Sequence, residues 1–346
     1  MAAIVAQRLV RGGGAAASLA AASLSSRALS YGSPPGGLPP QTDLLTSRAK
    51  FTEAYCMIPR SVQRDIVTSP LPGWDKTRCW VLARPLSGFA ETFSQYVVEV
   101  SPGGGSQAPE PEAGAEGVLF VLKGSLTIDH EKGGAHVLEE GGYAFLPPGE
   151  AWSCVNAGES NAEFLWVRKR YEPAPGIAKP EFIVASDKTT APTPMPDSHE
   201  QVWKTTRFVD PEDLRHDMHC NVVTFKPGAV IPFLETHVME HGLYVLEGKA
   251  AYNVNNDWIE VEAGDFLWLR AFCPQACYAG GPSDFRYLLY KDARAAAPFF
   301  FSSFRGPTRD GARARRSTAT PSCPSSTEAL ESLSGGGGGA PTRLQR

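Results

Sequence analysis

Long apolar runs are missing from this chain. No stretch approaches the 18 or more consecutive apolar residues of a membrane-spanning helix, which excludes an α-helical membrane protein. Cysteine is sparse: seven residues (56, 79, 154, 220, 273, 277, 323) are scattered through 346, too few and too odd in number for a disulfide framework. Cys273 and Cys277 stand four apart without a second pair, so plain thiols are expected there rather than a zinc site. Acids are absent from residues 1–42, which carry three Arg, and residues 297–346 hold seven Arg against three acids. The formal net charge of −4 therefore hides a strongly acidic middle, with 23 basic and 34 acidic residues in 43–296, a net of −11. That sign does not favour nucleic acid as a partner. The basic C-terminal tail reads as a solvated, disordered segment.

The first 42 residues, rich in Ala, Ser, Gly and Arg, have the composition of an organellar transit peptide. Arg27-Ala-Leu-Ser30 suits a mitochondrial cleavage, which puts mitochondrion ahead of plastid. Gly12-Gly-Gly-Ala interrupts any secretory apolar region. At the other end, 297–346 runs from Ala-rich through a Phe triplet and Arg-rich stretch to Gly335–Gly339 and is expected to be disordered and of low complexity.

Between the tails, short β-branched and aromatic runs are punctuated by Gly and Pro. YVVEV, VLFVLKGSLTI and EFLWVRKRY in 43–175 are followed by NVVTFKPGA, HGLYVLEGKAAYNV and DFRYLLYKD in 202–296. This rhythm predicts an all-β sandwich or barrel. The two blocks also match each other: Val121-Leu-Lys-Gly124 with Val245-Leu-Glu-Gly248, and the run at Glu139–Leu146 with Glu262–Leu269, at an offset of 123 to 124 residues. The chain is an internal duplication. Residues 176–201, rich in Pro, are expected to link the halves across the surface.

The densest chemistry lies in ETHVMEHGLYVLEG, residues 235–248. Two His four apart could ligate from one helix face, but Pro232 before them and the β-branched run after them favour strand. In a strand, positions i, i+2 and i+6 share a face, so Glu235, His237 and His241 converge, either along one strand or across a tight connection between two. Burying such groups without partners costs several kcal/mol, roughly 2 to 7 for a neutral polar group, and a bound cation removes that cost.

Pro227-Gly228, Glu235-x-His237-x3-His241-x6-Gly248, Gly264-Asp265 and Gln275 together resemble the two motifs of the cupins, whose usual ligands are His, His, Glu and His. Here Glu occupies the first slot, His241 the Glu slot and Gln275 the last His slot. That permutation resembles the bicupin (S)-ureidoglycine aminohydrolases, over about residues 55–292. The resemblance implies two tandem jelly-roll barrels, with Mn²⁺ held by Glu235, His237, His241 and Gln275. It further implies a substrate held by Glu235, Gln275, Tyr287 and Lys291, with Glu235 and Lys291 as the catalytic pair, and a homo-oligomeric assembly. Two oxygen donors with two imidazoles form a fairly hard set suited to Mn²⁺, with zinc an alternative. The reaction implied is replacement of the α-amine of (S)-2-ureidoglycine by water, giving (S)-ureidoglycolate and ammonia in purine ureide breakdown. Plant relatives point to the endoplasmic reticulum, against the composition of residues 1–42.

The first half differs. Its corresponding slots are Pro111, Ala113, Gly117 and Trp152, none of which binds a metal, and Glu110, Glu112 and Glu116 nearby read as solvated carboxylates. Glu240 and Glu247, beside the candidate ligands, are expected to point outward. A storage or sensor bicupin without turnover, or a cupin decarboxylase or dioxygenase, is the rival reading. The latter two are expected to keep the His-x-His, Glu, His order that this chain lacks.

Overall fold

The structure is a computed structural model that describes residues 48–63, 71–85, 89–195, 198 and 201–293. The transit-peptide reading of 1–42 and the tail at 297–346 lie outside the described residues. Within them the chain is almost entirely β, with one four-residue helix, Arg60–Gln63, and no helix long and apolar enough to cross a membrane.

The first half is built on one sheet. Its strands are β3 (Asp75–Ala83), β4 (Phe93–Ser106), β5 (Ala115–Lys123), β6 (Ser125–His130), β7 (Gly134–Glu139), β8 (Gly142–Leu146), β9 (Trp152–Val155), β10 (Ala162–Arg170) and β11 (Ile183–Ser186). Their order is β11-β8-β5-β10-β4-β9-β6-β7, with β3 added on β4. The second half uses two sheets. The larger contains β1 (Lys50–Phe51), β2 (Tyr55–Ile58), β12 (Thr193–Pro194), β13 (Trp203–Arg207), β14 (Met218–Phe225), β15 (His241–Glu247), β18 (Phe266–Leu269) and β20 (Phe285–Asp292), ordered β1-β2-β18-β15-β20-β14-β13-β12. The smaller contains β16 (Lys249–Val254), β17 (Asp257–Glu262) and β19 (Gln275–Ala279), ordered β17-β16-β19.

Alternation along the strands separates three cores. Val98, Leu119, Phe164 and Trp166 fill the first barrel. Val223, Phe225, Leu243, Tyr252 and Tyr287 fill the second. The residues between them, Phe93, Val97, Phe120 and Phe145 from one half and Cys220, Val222, Trp268, Leu288 and Tyr290 from the other, seal the barrels face to face. Strands of this seam are apolar on both faces because both faces are buried.

The duplication is visible in the backbone. Gly124 and Gly248 both have left-handed φ (74° and 71°), and a Cβ there would lie 2.9 Å from Asn161 O and 2.3 Å from Asp284 O respectively. Three elements pair outside their own block, one of them β12, which pairs with β13. β2 hydrogen-bonds to β18 of the second barrel, with Ile58 opposite Phe266, and β11, from the Pro-rich 176–201 segment, closes the β8 edge of the first.

Candidate metal and substrate site

The mouth of the second barrel is set by register. On β14, Met218, Cys220 and Val222 face the seam, so His219, Asn221 and Val223 face the barrel interior. Across the ladder His219 stands opposite Lys291, Asn221 opposite Leu289, and Val223 opposite Tyr287. Lys291 is in turn opposite His241 on β15. One rung of the barrel thus reads His241, Lys291, His219, and Tyr287 sits two rungs deeper on the same face of β20. Glu235 and Gln275 join this mouth through an isolated antiparallel bridge, Glu235 N donating to Gln275 O (2.8 Å) and Gln275 N to Glu235 O (2.9 Å).

The side chains form a polar chain down the wall. Glu235 Oε1 lies 3.0 Å from His237 Nε2, and the edge of the His237 ring meets that of His241, with centroids 5.0 Å apart. Gln275 Nε2 donates to Glu235 Oε2 at 3.4 Å, and Tyr252 Oη donates to Gln275 Oε1 at 3.0 Å. Tyr287 in turn hydrogen-bonds Tyr252. Burial, with the charges of His237 and Lys291 adding to it, pushes the His241 imidazole down to about 3. His219 is pushed to about 4, again mainly by burial and then by Lys291. Both rings are neutral at physiological pH. Burial also lowers Lys291, while Glu235 raises it and Arg207 lowers it further.

The loop before His241 is anchored across the seam. Glu240, expected to point outward, is instead buried: its carboxylate accepts from Glu91 N (3.0 Å), Thr92 N (2.5 Å), Thr92 Oγ1 and Trp268 Nε1 (2.9 Å). Three of these four donors belong to the first half. Gly242 follows because β4 presses on it: a Cβ would lie 2.6 Å from the Phe93 ring and 2.7 Å from Gln95 Oε1.

Four donors of the right chemistry therefore share the mouth: one carboxylate, two imidazoles and one amide oxygen. A neutral imidazole keeps the lone pair that a cation needs, and a carboxylate with amide oxygen suits a hard divalent ion. Among the described residues no three His, Cys, Asp or Glu side chains are gathered as a metal cluster; Glu235 contacts His237, and Gln275 Oε1 accepts from Tyr252. The chemistry of this donor set, a carboxylate, two imidazoles and an amide oxygen, fits a divalent cation. Cys273 and Cys277 are buried free thiols, with burial raising Cys273 to about 11 and Cys277 higher still.

Among the described residues the first barrel offers no counterpart at its four slots. Its mouth holds a cavity of about 220 Å³ lined by Pro111, Ala113, Gly117 and Trp152, the residues of the four slots. Of the nearby acids Glu112 is exposed, as expected, while Glu110 and Glu116 are not. Glu110 is paired with Arg168 and Glu112 with Arg170, and Glu116 is fully buried beside Asp217.

Sequence reasoning passed over His219, Asn221 and Arg207. For His219 and Asn221 the signal was present in HCNVVTF, where these two polar residues stand two apart in a largely apolar strand. Only the registers of β13, β14 and β20 show that His219 stands opposite Lys291, and Asn221 opposite Leu289 and Arg207.

A cupin domain model matches residues 96–168 and 221–290. The Escherichia coli (S)-ureidoglycine aminohydrolase is 32% identical over 255 residues, covering 72% of this chain and 93% of its own. The Arabidopsis thaliana (S)-ureidoglycine aminohydrolase is 31% identical, over 65% and 72% of the two chains. Among solved structures, a putative glyoxylate-induced protein of Pseudomonas aeruginosa superposes with a TM-score of 0.69 at 60% identity, covering 73% of this chain and 92% of its own. All of these likenesses extend over both barrels or most of them.

Proposed function

Because this chain belongs to the (S)-ureidoglycine aminohydrolase family of bicupins, we propose that its second barrel is a Mn²⁺-dependent hydrolase that converts (S)-2-ureidoglycine and water to (S)-ureidoglycolate and ammonia. The observation that carries this reading is the meeting of Glu235, His237, His241 and Gln275 with Lys291 at one barrel mouth. Glu235, His237, His241 and Gln275 would hold the ion. When bound, it supplies Lewis acidity and a fixed template for the substrate's carboxylate and neighbouring donor.

The remaining work falls to the protein. The C–N bond to the amine breaks as a C–O bond to water forms, and one water proton ends on the departing nitrogen. Glu235 is the carboxylate at the mouth that can carry this proton. Lys291, partly buried and opposite two neutral imidazoles, keeps an ammonium on the substrate's side of the barrel and meets its negative charge. The Tyr287–Tyr252–Gln275 chain fixes the amide so that its orientation is not free to drift. The apolar wall of Leu243, Val245 and Leu267 below limits water to the mouth.

Ammonia release from synthetic ureidoglycine, measured with the protein as purified and after chelation, tests the reading. Release that stops on chelation and returns with Mn²⁺ supports it. No release from metal-replete protein favours a binding-only bicupin, and undiminished release after the metal is stripped removes the ion from the reaction.

A further inference from the structure

Two cations on the inner wall of the second barrel lack a carboxylate partner among the described residues. Lys291 makes no ion pair among the described residues, since the Glu235 carboxylate near it is paired with His237. Arg207, the last residue of β13, is half-buried on the same face as Trp203 and Thr205, and among the described residues its side chain has one polar contact, Nη2 to Met195 Sδ at 3.6 Å. The two charges are close enough that Arg207 lowers Lys291 and His219 alike. Like charges held together without a counter-ion repel, and an anion placed between them reverses that cost. Asn221 lies between them in the sheet, opposite Arg207 on one side and Leu289, two residues from Lys291, on the other. It is buried, and its Oδ1 has no hydrogen-bond donor. Buried polar atoms without partners are rare, and one facing a substrate mouth marks a place where a ligand N–H belongs.

We infer that Arg207 and Lys291 together bind the carboxylate of the substrate, while Asn221 Oδ1 accepts a hydrogen bond from a substrate N–H, making Arg207 and Asn221 specificity-determining residues. The inference deepens the proposed function and rests on it for the identity of the substrate. It also sets the class of molecule the mouth takes: a small α-substituted carboxylate with an N–H donor one or two bonds from the acid. Neutral esters and amides of the same skeleton lose the arginine contact. Bidentate geometry makes arginine the better carboxylate clamp, with lysine a point charge beside it.

The test uses N-carbamoylglycine, which has the carboxylate and ureido group but no amine to lose, and its neutral methyl ester. Binding is measured by calorimetry to the metal-replete full chain. The acid is expected to bind the parent about tenfold or more tighter than the ester, Arg207→Met to erase that preference, and Arg207→Lys to restore part of it. Asn221→Asp is expected to weaken the acid further than Asn221→Ala, because a second anion then faces the ligand. Metal content is checked for each variant and stays at the parent level. Equal binding of acid and ester by the parent, or full acid affinity in Arg207→Met, overturns the inference, and the parent comparison decides even if both arginine variants misfold. Acid-selective binding that depends on Arg207 in a protein releasing no ammonia would uphold this site and remove the proposed reaction instead.

Discussion

Gln275 shows how much one side chain does at this mouth. Its amide oxygen takes the Tyr252 hydroxyl, its amide nitrogen reaches Glu235, and its backbone bridges Glu235 in both directions. Gln275→Ala is expected to lower bound Mn²⁺, read by metal analysis after dialysis. Trp152→Ala, at the corresponding position of the first half, is expected to leave metal content intact. It should instead cost about 3–5 kcal/mol of stability, read by denaturant melts, because Trp152 is buried against Trp166. Lys291→Met keeps the stem and removes the ammonium, so metal content and Tm should hold while ammonia release falls about tenfold or more, some 1.4 kcal/mol of transition-state stabilisation. Tyr287→Phe should fall less, since it deletes one hydroxyl contact to Tyr252 and keeps the buried ring. Full activity in Lys291→Met would leave the metal site standing without that contact. Glu235, His237, His241 and Gln275 could be picked from the sequence because their spacing has a family pattern. Arg207 could not, because a single arginine at a strand end looks solvated until its neighbours are known.

Among elements, the segment from Glu240 to Val245 is where the two halves are tied. Glu240 satisfies donors of both barrels, so Glu240→Ala leaves Glu91 N, Thr92 N and Trp268 Nε1 without their acceptor. At about 1–3 kcal/mol for a stranded buried group such as Trp268 Nε1, and less for the amide of the exposed Glu91, stability should fall, and metal affinity with it because His241 is the next residue. Paired melting curves and metal titrations would check this, and a variant with unchanged Tm would show that the anchor is dispensable. Gly242→Ala is expected to be as harmful, for the opposite reason: it adds a methyl where Phe93 and Gln95 already touch the strand. The strands themselves were legible, since β-branched runs between Gly and Pro fix them locally, and so was the duplication. The Glu240 anchor was not, because a glutamate in an isolated strand has no visible partner, and three of its four donors lie about 150 residues away in the other half.

For the molecule as a whole, the seam carries an electrostatic cost. Glu116 is buried, and burial, reinforced by the Asp217 carboxylate, holds its carboxyl well above the ordinary 4.5, with Lys169 pulling the other way. Lys169 itself is paired with Asp217 at 2.5 Å. A group raised in the folded state contributes stability that is whole below about pH 4.5 and is lost as pH climbs towards its folded value. Glu116→Gln, which imitates the protonated acid, should therefore melt above the parent at pH 7–8, with the gap closing near pH 4. A gap that stays constant with pH would mean that Glu116 is not the group titrating. The seam also bears on where the chain can be cut: a 202–293 fragment lacks β2 and exposes Cys220, Val222, Trp268 and Tyr290, so it should bind ANS and lose near-UV dichroism, unlike 43–296. Neither the exchange of β2 nor that of β11 was readable beforehand, as YCMI and IVAS are too short to declare a distant partner. The β2 exchange has a further meaning at the ribosome. Ile58 pairs with Phe266, 208 residues later, so at about 5–20 residues per second the strand Tyr55–Ile58 emerges roughly 10–40 s before its partner exists. During that interval an apolar edge waits unpaired outside the exit tunnel, and the last barrel to be translated is closed by one of the first strands to be made.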